Sequence, residues 1–233
     1  MAALSKTQID RLGVRLRKGS PSEADLRLLD EYRHSFGDAH DTVVRTIREK
    51  LNLQPTGRLE KSTTSIADKL RRESIRLSQI QDIAGCRIIV TDIDEQDRVV
   101  RSLQALFPGA AIADRRSLPS HGYRAVHVIA KISGLSIEIQ VRSTLQHLWA
   151  EFSERLSDRI DPGIKYGGGG DQIKKVLLDA SELAATFEQM EKNLSKIVSS
   201  SPRGLLYLYE MTSLKEKLIE YLKGLIFPTE NLN

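Results

Sequence analysis

Two acids, Asp82 and Glu138, each adjoin an apolar run and sit among cations. In Ser136-Ile137-Glu138-Ile139-Gln140-Val141-Arg142, strict alternation places Ile137, Ile139 and Val141 on one face of a strand. Glu138, Gln140 and Arg142 then project from the other face as an acid, an amide and a guanidinium in a row. That pattern suits either an edge strand whose polar groups meet water or a central strand facing a cleft. Two neighbouring stretches favour the cleft. His121-Gly122-Tyr123-Arg124-Ala125-Val126-His127-Val128-Ile129-Ala130 reads as the partner of a hairpin, and Asp82-Ile83-Ala84-Gly85-Cys86-Arg87-Ile88-Ile89-Val90 supplies a second acid before another apolar strand. Such strands would collect Asp82, Arg87, Tyr123, His127, Glu138, Gln140 and Arg142, with Arg58, Lys61 and Lys69 arriving from the preceding loop and helix. Carboxylates kept together raise each other's pKa and need compensation. A divalent cation satisfies both. Magnesium takes few protein carboxylates and completes its octahedron with water and phosphate oxygens, which leaves the Arg and Lys groups to face phosphate. This inventory points to phosphoryl transfer, where catalysis is mostly positioning and charge neutralisation.

The elements that position these groups follow from periodicity and punctuation. Residues 1–20 read as a polar, basic leader, weakly helical at best. Ser20-Pro21-Ser22-Glu23 marks a helix start, with Ser at the cap, Pro in the first turn and acids near the positive end of the dipole. A helix through Leu26, Leu29, Tyr32 and His34 follows; Gly37-Asp38 breaks it, and Val43, Val44, Ile47 and Leu51 mark a second. Pro55-Thr56-Gly57 ends the helical front. A short, strongly positive helix runs from Ser65 to about Glu73 and carries Lys69, Arg71 and Arg72. Then come a strand over 86–91, a helix from Asp94 to Leu106, a strand near 110–114, a hairpin over 125–132 and 135–142, and a helix from Thr144 to Ser157. Strands interleaved with helices, plus an antiparallel hairpin, give a mixed-sheet α/β or α+β domain. Beyond Gly167-Gly168-Gly169-Gly170, apolar residues recur every three or four positions from Ile173 to Ile197 as a long amphipathic helix. Ser199-Ser200-Ser201-Pro202 stops it, and one more helix spans Leu205 to Phe227. Both tail helices either pack back on the domain or form an oligomer contact.

Bulk properties exclude several classes. The 233 residues, 40% hydrophobic and 28% charged, suit a globular chain with a real core. A formal charge of +4 suits phosphate-bearing ligands but is too mild to imply nucleic acid. The single cysteine, Cys86, rules out an intramolecular disulfide and a thiolate cage, and reads as a small core residue. No apolar leader or membrane-length run is present, so the expected location is cytoplasmic. His40-Asp41 invites a metal-dependent phosphohydrolase, but five histidines in the whole chain are a poor supply for that chemistry. The four-glycine run lacks the Lys-Ser/Thr ending of a P-loop and reads as a hinge.

Asp82-Ile-Ala-Gly-Cys-Arg87-Ile, Gly122-Tyr123-Arg124-Ala-Val-His127 and Glu138-Ile-Gln140-Val-Arg142-Ser resemble, in order and spacing, three strand motifs of the RelA/SpoT synthetase domain. Trp149-Ala150 in the next helix adds to the likeness, which covers about residues 40–166. The resemblance implies an α+β fold, a nucleotidyltransferase-like mixed β-sheet flanked by helices, with a C-terminal helical extension. It divides the chain into the leader 1–20, a synthetase domain over 21–166 and the extension 171–233. It implies a small alarmone synthetase that moves the β,γ-pyrophosphate of ATP onto the ribose 3′-hydroxyl of GDP or GTP. Asp82 and Glu138 would hold Mg2+, with Glu138 also accepting the hydroxyl proton. Arg58, Lys61, Ser65, Lys69 and Arg87 would hold ATP. Tyr123 would stack on the acceptor guanine, and His127, Gln140, Arg142 and His147 would line the acceptor side. A homo-oligomer through the C-terminal helices is the implied assembly, with no membrane partner.

Four departures stand out. Arg58 and Lys61 are spaced one residue wider than the family's Arg-x-Lys; Leu118-Pro119-Ser120-His121 lacks a lysine, with Arg115 and Arg116 further back; Glu154 comes one residue late; and His147 occupies a variable place. Two alternatives therefore stay open: a toxin-type relative that pyrophosphorylates the 3′ end of tRNA, and an inactive nucleotide-binding module.

Overall fold

Among the described residues five strands, β1 (Thr56–Arg58), β2 (Ala84–Val90), β3 (Ala111–Asp114), β4 (Val126–Ile132) and β5 (Leu135–Ser143), form one sheet in the order β1-β2-β5-β4-β3. Eight helices accompany them among the described residues: α1 (Lys6–Lys18), α2 (Glu23–His34), α3 (Gly37–Leu51), α4 (Thr63–Arg72), α5 (Ile93–Leu106), α6 (Thr144–Arg159), α7 (Asp171–Val198) and α8 (Pro202–Ile226). Short 3₁₀ turns lie at Leu77–Gln79 and Ile164–Tyr166. The computed structural model describes residues 4–58, 60–198 and 202–226. This is the expected mixed sheet flanked by helices. The alternation read in β5 is realised, with Ile137, Ile139 and Val141 wholly buried. The chain divides into two compact units: Met1–Ile88, Arg101–Ile112 and His127–Gln140 in the first, and Ile89–Val100, Ala113–Val126 and Val141–Asn233 in the second.

In the first unit the supposed leader is a helix. Ser5 caps α1 and exchanges hydrogen bonds with Gln8, and Gly19 closes its other end in the left-handed region. Leu12 and Leu16 are fully buried, and α1 packs on α2, α4 and the 3₁₀ turn at Leu77–Gln79. The signal was present as Ile9, Leu12 and Leu16 at helical spacing, masked by the lysines and arginines between them. Other ends shift by a residue or two. Ser22, not Ser20, caps α2 through a reciprocal pair with Asp25. Gly37 and Asp38 open α3 instead of separating two helices, and Ser62 caps α4 three residues before Ser65. β1 was not anticipated. It lies antiparallel to β2, with Thr56 opposite Arg87, Gly57 opposite Cys86 and Arg58 opposite Gly85. Three residues beginning just after a proline carry no periodic signal. The β4–β5 connection is the two-residue turn Ser133-Gly134 with positive φ at both, the geometry that matches strand twist.

In the second unit Ser143 caps α6 and pairs with Gln146. Trp149, Ala150, Ile164 and Leu177 form a buried cluster, with Tyr123, Phe152, Leu156, Ile173 and Ala180 packed around it. Helices α7 and α8 pack on each other and on α6, so the tail does pack back on its own unit. The expected stop at Ser199-Ser200-Ser201 and the end at Phe227 lie outside the described residues. Among the described residues no helix is long and apolar enough to cross a membrane.

If α1 is core, Leu16→Ala should cost about 2–5 kcal/mol by chemical denaturation, the range for a fully buried leucine. A loss below about 0.5 kcal/mol, the size of an ordinary surface change, would return α1 to the status of an appendage.

Candidate active site

Asp82 lies just before β2, where a buried strand begins and its carboxyl is only partly wetted. Lys61 N–H donates to the Ile83 carbonyl at 2.9 Å, which ties the loop after β1 to this turn. Lys61 Nζ then reaches Asp82 Oδ2 at 2.5 Å, and Lys69 Nζ, from the last turn of α4, reaches Oδ1 at 3.0 Å. All three side chains keep only 12–22% of their exposure. Burial alone would raise the Asp82 pKa; the charges and hydrogen bonds of the two lysines outweigh it and hold the carboxyl at about 2. Ser65 stands in the first turn of α4, its amide capped by Ser62 Oγ at 3.2 Å.

Glu138 comes from β5. A Cβ built on Gly85 would lie 2.5 Å from the Glu138 carbonyl oxygen, so only glycine allows the backbone at residue 85 this close to Glu138. The carboxylate is gripped at both oxygens: His127 Nδ1 lies 2.8 Å from Oε1, and Gln140 Nε2 donates to Oε2 at 2.8 Å. Burial pushes its pKa up, and the bond and charge of His127, aided by Gln140, more than reverse that against the opposing charge of Asp82. Asp82 acts on Glu138 electrostatically, so the two acids share one neighbourhood of this unit. His127 and Gln140, expected on the acceptor side, contact Glu138 itself. Arg87 is half-buried on β2 opposite Thr56; Arg58 lies opposite Gly85 on β1, and its side chain is outside the described residues.

Two hard oxygen donors fit a cation that takes one or two protein carboxylates and leaves its other places to water and phosphate. Asp82 and Glu138 retain unused lone pairs for this despite their hydrogen bonds. Among the described residues no group of three His, Cys, Asp or Glu gathers, so a richer cage is absent there. His40 is buried, with Nδ1 3.3 Å from Asp41 and Nε2 packed toward Gly57.

The second unit holds Tyr123, Arg142 and His147. Ser120 and Tyr123 bridge a tight turn in which His121 and Gly122 have φ of 53° and 88°. A Cβ on Gly122 would come within 2.6 Å of Trp149 Cζ2. Tyr123 follows, half-buried; Arg142 lies 5.1 Å from its ring centroid and donates to its hydroxyl at 3.0 Å. Arg142 is itself buried at 3% exposure, and His147 is half-buried near the start of α6. Arg116, one of the two arginines upstream of the lysine-less stretch, pairs with Asp97 and Asp114, both at 2.7 Å. Arg115 remains exposed, its N–H bonded to the Ala125 carbonyl. Sequence reading passed over Arg124, whose guanidinium meets the buried Glu188 of α7 at 2.8 Å. The available signal was an acid four residues beyond Ala184 on the apolar face of that helix.

The Asp82 ion pairs carry an acid signature. A carboxyl depressed from 3.8 in the folded chain adds stability above its unfolded pKa, and that share is lost as pH falls toward about 2. In chelator-treated buffer, urea titrations should lose about 2 kcal/mol to this group between about pH 4 and 2. Asp82→Asn should flatten that part of the slope; an unchanged slope would mean the lysines do not hold the acid in solution.

Residues 57–157 match the family described as "Region found in RelA / SpoT proteins". The chain is 34% identical over 206 residues to "Uncharacterized protein Rv1366" of Mycobacterium tuberculosis (strain ATCC 25618 / H37Rv), covering 82% of this chain and 73% of that one. It is 31% identical over 150 residues to "Probable GTP diphosphokinase RSH2, chloroplastic" of Arabidopsis thaliana, covering 60% of this chain but only 20% of that longer protein. Among solved structures, the small alarmone synthetase 1 of Bacillus subtilis bound to its product pppGpp superposes with a TM-score of 0.56 at 26% identity, over 77% of this chain and all of that one. The smu.1046c protein of Streptococcus mutans UA159 gives 0.55 at 26%, over 74% and 96%. With the three motifs on β2, the turn before β4, and β5, and with a relative aligned along most of its length, this chain belongs to the RelA/SpoT family.

Proposed function

We propose that the protein is a (p)ppGpp synthetase, transferring the β,γ-pyrophosphate of ATP to the ribose 3′-hydroxyl of GDP or GTP. The observation that carries this reading is the pairing of Asp82 with Lys61 and Lys69 beside a Glu138 that feels its charge. The hydroxyl oxygen bonds to the β-phosphorus, the bond between the α,β-bridging oxygen and that phosphorus breaks, and AMP leaves with the electron pair. The hydroxyl proton passes to Glu138, which its lowered pKa keeps ionised at neutral pH, though at the expense of basicity. Asp82 and Glu138 would hold Mg2+, which when bound neutralises phosphate charge. Lys61 and Lys69, already beside Asp82, are suited to meet ATP phosphates, with Ser65, Arg58 and Arg87 completing the donor side. His127 and Gln140 fix the Glu138 carboxylate for its task. Tyr123 stacks on the acceptor base, steadied by Arg142, and His147 lines that side. We assign the chemistry to residues 21–166 and treat 171–233 as an extension. Self-association belongs to the same proposal: Val176, Leu183 and Met190 recur every seven residues on α7 and remain 48–62% exposed.

A thin-layer assay with Mg2+, γ-³²P-ATP and three acceptors tests the reading. Label should appear on GDP or GTP with release of AMP; label on deacylated tRNA alone would instead establish the toxin-type reaction, and nucleotide binding without AMP an inactive module. Asp82→Ala and Glu138→Ala should abolish transfer while circular dichroism stays native. Tyr123→Ala should weaken acceptor use by about 1–3 kcal/mol, the worth of one base stack, with Tyr123→Phe close to wild type. Light scattering at micromolar concentration should return more than one chain per particle.

A further inference from the structure

Helix α7 touches the Tyr123 turn along one stripe of residues. Leu177 accepts a hydrogen bond from Trp149 Nε1 at 2.8 Å through its carbonyl, and the Trp149 ring fills the place where a Gly122 side chain would go. One turn later, Ser181 Oγ donates to the Gly122 carbonyl at 2.6 Å. Two turns beyond, Glu188, 1% exposed, receives Arg124 Nη1 at 2.8 Å. Its other oxygen accepts from the Ser143 hydroxyl that caps α6, and Gln146 Nε2 donates to it at 3.1 Å. Gln146 is in turn bonded to Gln96, which is wholly buried and donates to the Val141 carbonyl at 2.7 Å. Residues 122 and 124 flank Tyr123, while 141 and 143 flank Arg142, whose guanidinium covers that ring. An acid this deep is retained only if its partners satisfy it; here Arg124 adjoins Tyr123, Ser143 adjoins Arg142, and Gln146 reaches Val141 through Gln96.

We propose that Glu188 is a positioning residue for the acceptor face: it sets the Tyr123–Arg142 pair through Arg124 and the Ser143 cap. The inference rests on Tyr123 and Arg142 meeting the acceptor. It makes α7 part of the site's framework and a determinant of acceptor affinity.

The test uses the full chain. Glu188→Gln keeps polar contacts with Ser143 and Gln146 but removes the charge opposite Arg124, and Arg124→Gln removes the other half. Each should raise the acceptor KM about tenfold while leaving the ATP KM within twofold. The double variant should be no worse than either single, because the pair acts as a unit. Hydrogen exchange, read without any turnover, should quicken at residues 120–124 in Glu188→Gln and stay unchanged at 61–82. An acceptor KM unchanged in a folded variant, an equal rise in both KM values, or unaltered exchange at 120–124 would each overturn the proposal. Absence of transfer by the wild-type chain would defeat the synthetase reading instead, and the exchange experiment would still decide the role of Glu188.

Discussion

A carboxylate that gives up part of its water has to find equivalent partners nearby, and Asp82 and Glu138 meet that demand in different ways. Asp82 takes two ammonium groups, one from the loop after β1 and one from α4. Glu138 takes an imidazole from the adjacent β4 and an amide two residues along its own strand. These choices dictate the surrounding chain. The loop must bond to the Ile83 carbonyl to deliver Lys61, α4 must end where Lys69 can turn inward, and residue 85 must lack a side chain so that backbone can lie against Glu138. Strand β1, only three residues long, holds the start of that loop against β2.

The second unit solves a different problem, that of aiming an aromatic ring. Tyr123 follows a turn with two positive φ angles, a conformation with few rotational choices left. The turn is braced by an indole, a serine and a buried ion pair from helices later in the chain. Such bracing ties the backbone on both sides of the ring to buried groups.

Much of this was legible in the sequence, for identifiable reasons. Alternation in β5 was readable because a strand buried on one face must repeat every two residues, and the acids and arginines stood out against it. The fold class followed from strands interleaved with helices. What escaped was decided by distant partners. α1 was obscured because its basic residues dominate composition, whereas its fate depends on three apolar positions meeting α2 and α4. The expectation for His127 and Gln140 rested on the motif resemblance; that both grip Glu138 depends on how β4 and β5 side chains meet. Arg116 looked available in sequence because nothing there ties it to Asp97, nineteen residues upstream. Glu188 lies 64 residues from Arg124, and no local pattern joins them.

Cys86 stands opposite Gly57 on β1, and burial, reinforced by the charge of Glu138, pushes its thiol up to about 12. Only a thiolate attacks alkylating reagents, so near pH 8 roughly one part in ten thousand of the native population is reactive. The solitary thiol is therefore chemically silent while the sheet is closed and responsive once β2 parts from its neighbours. Without engineering, the chain carries its own stopwatch for strand opening: the rate at which a maleimide couples to it measures how often this edge of the sheet breathes.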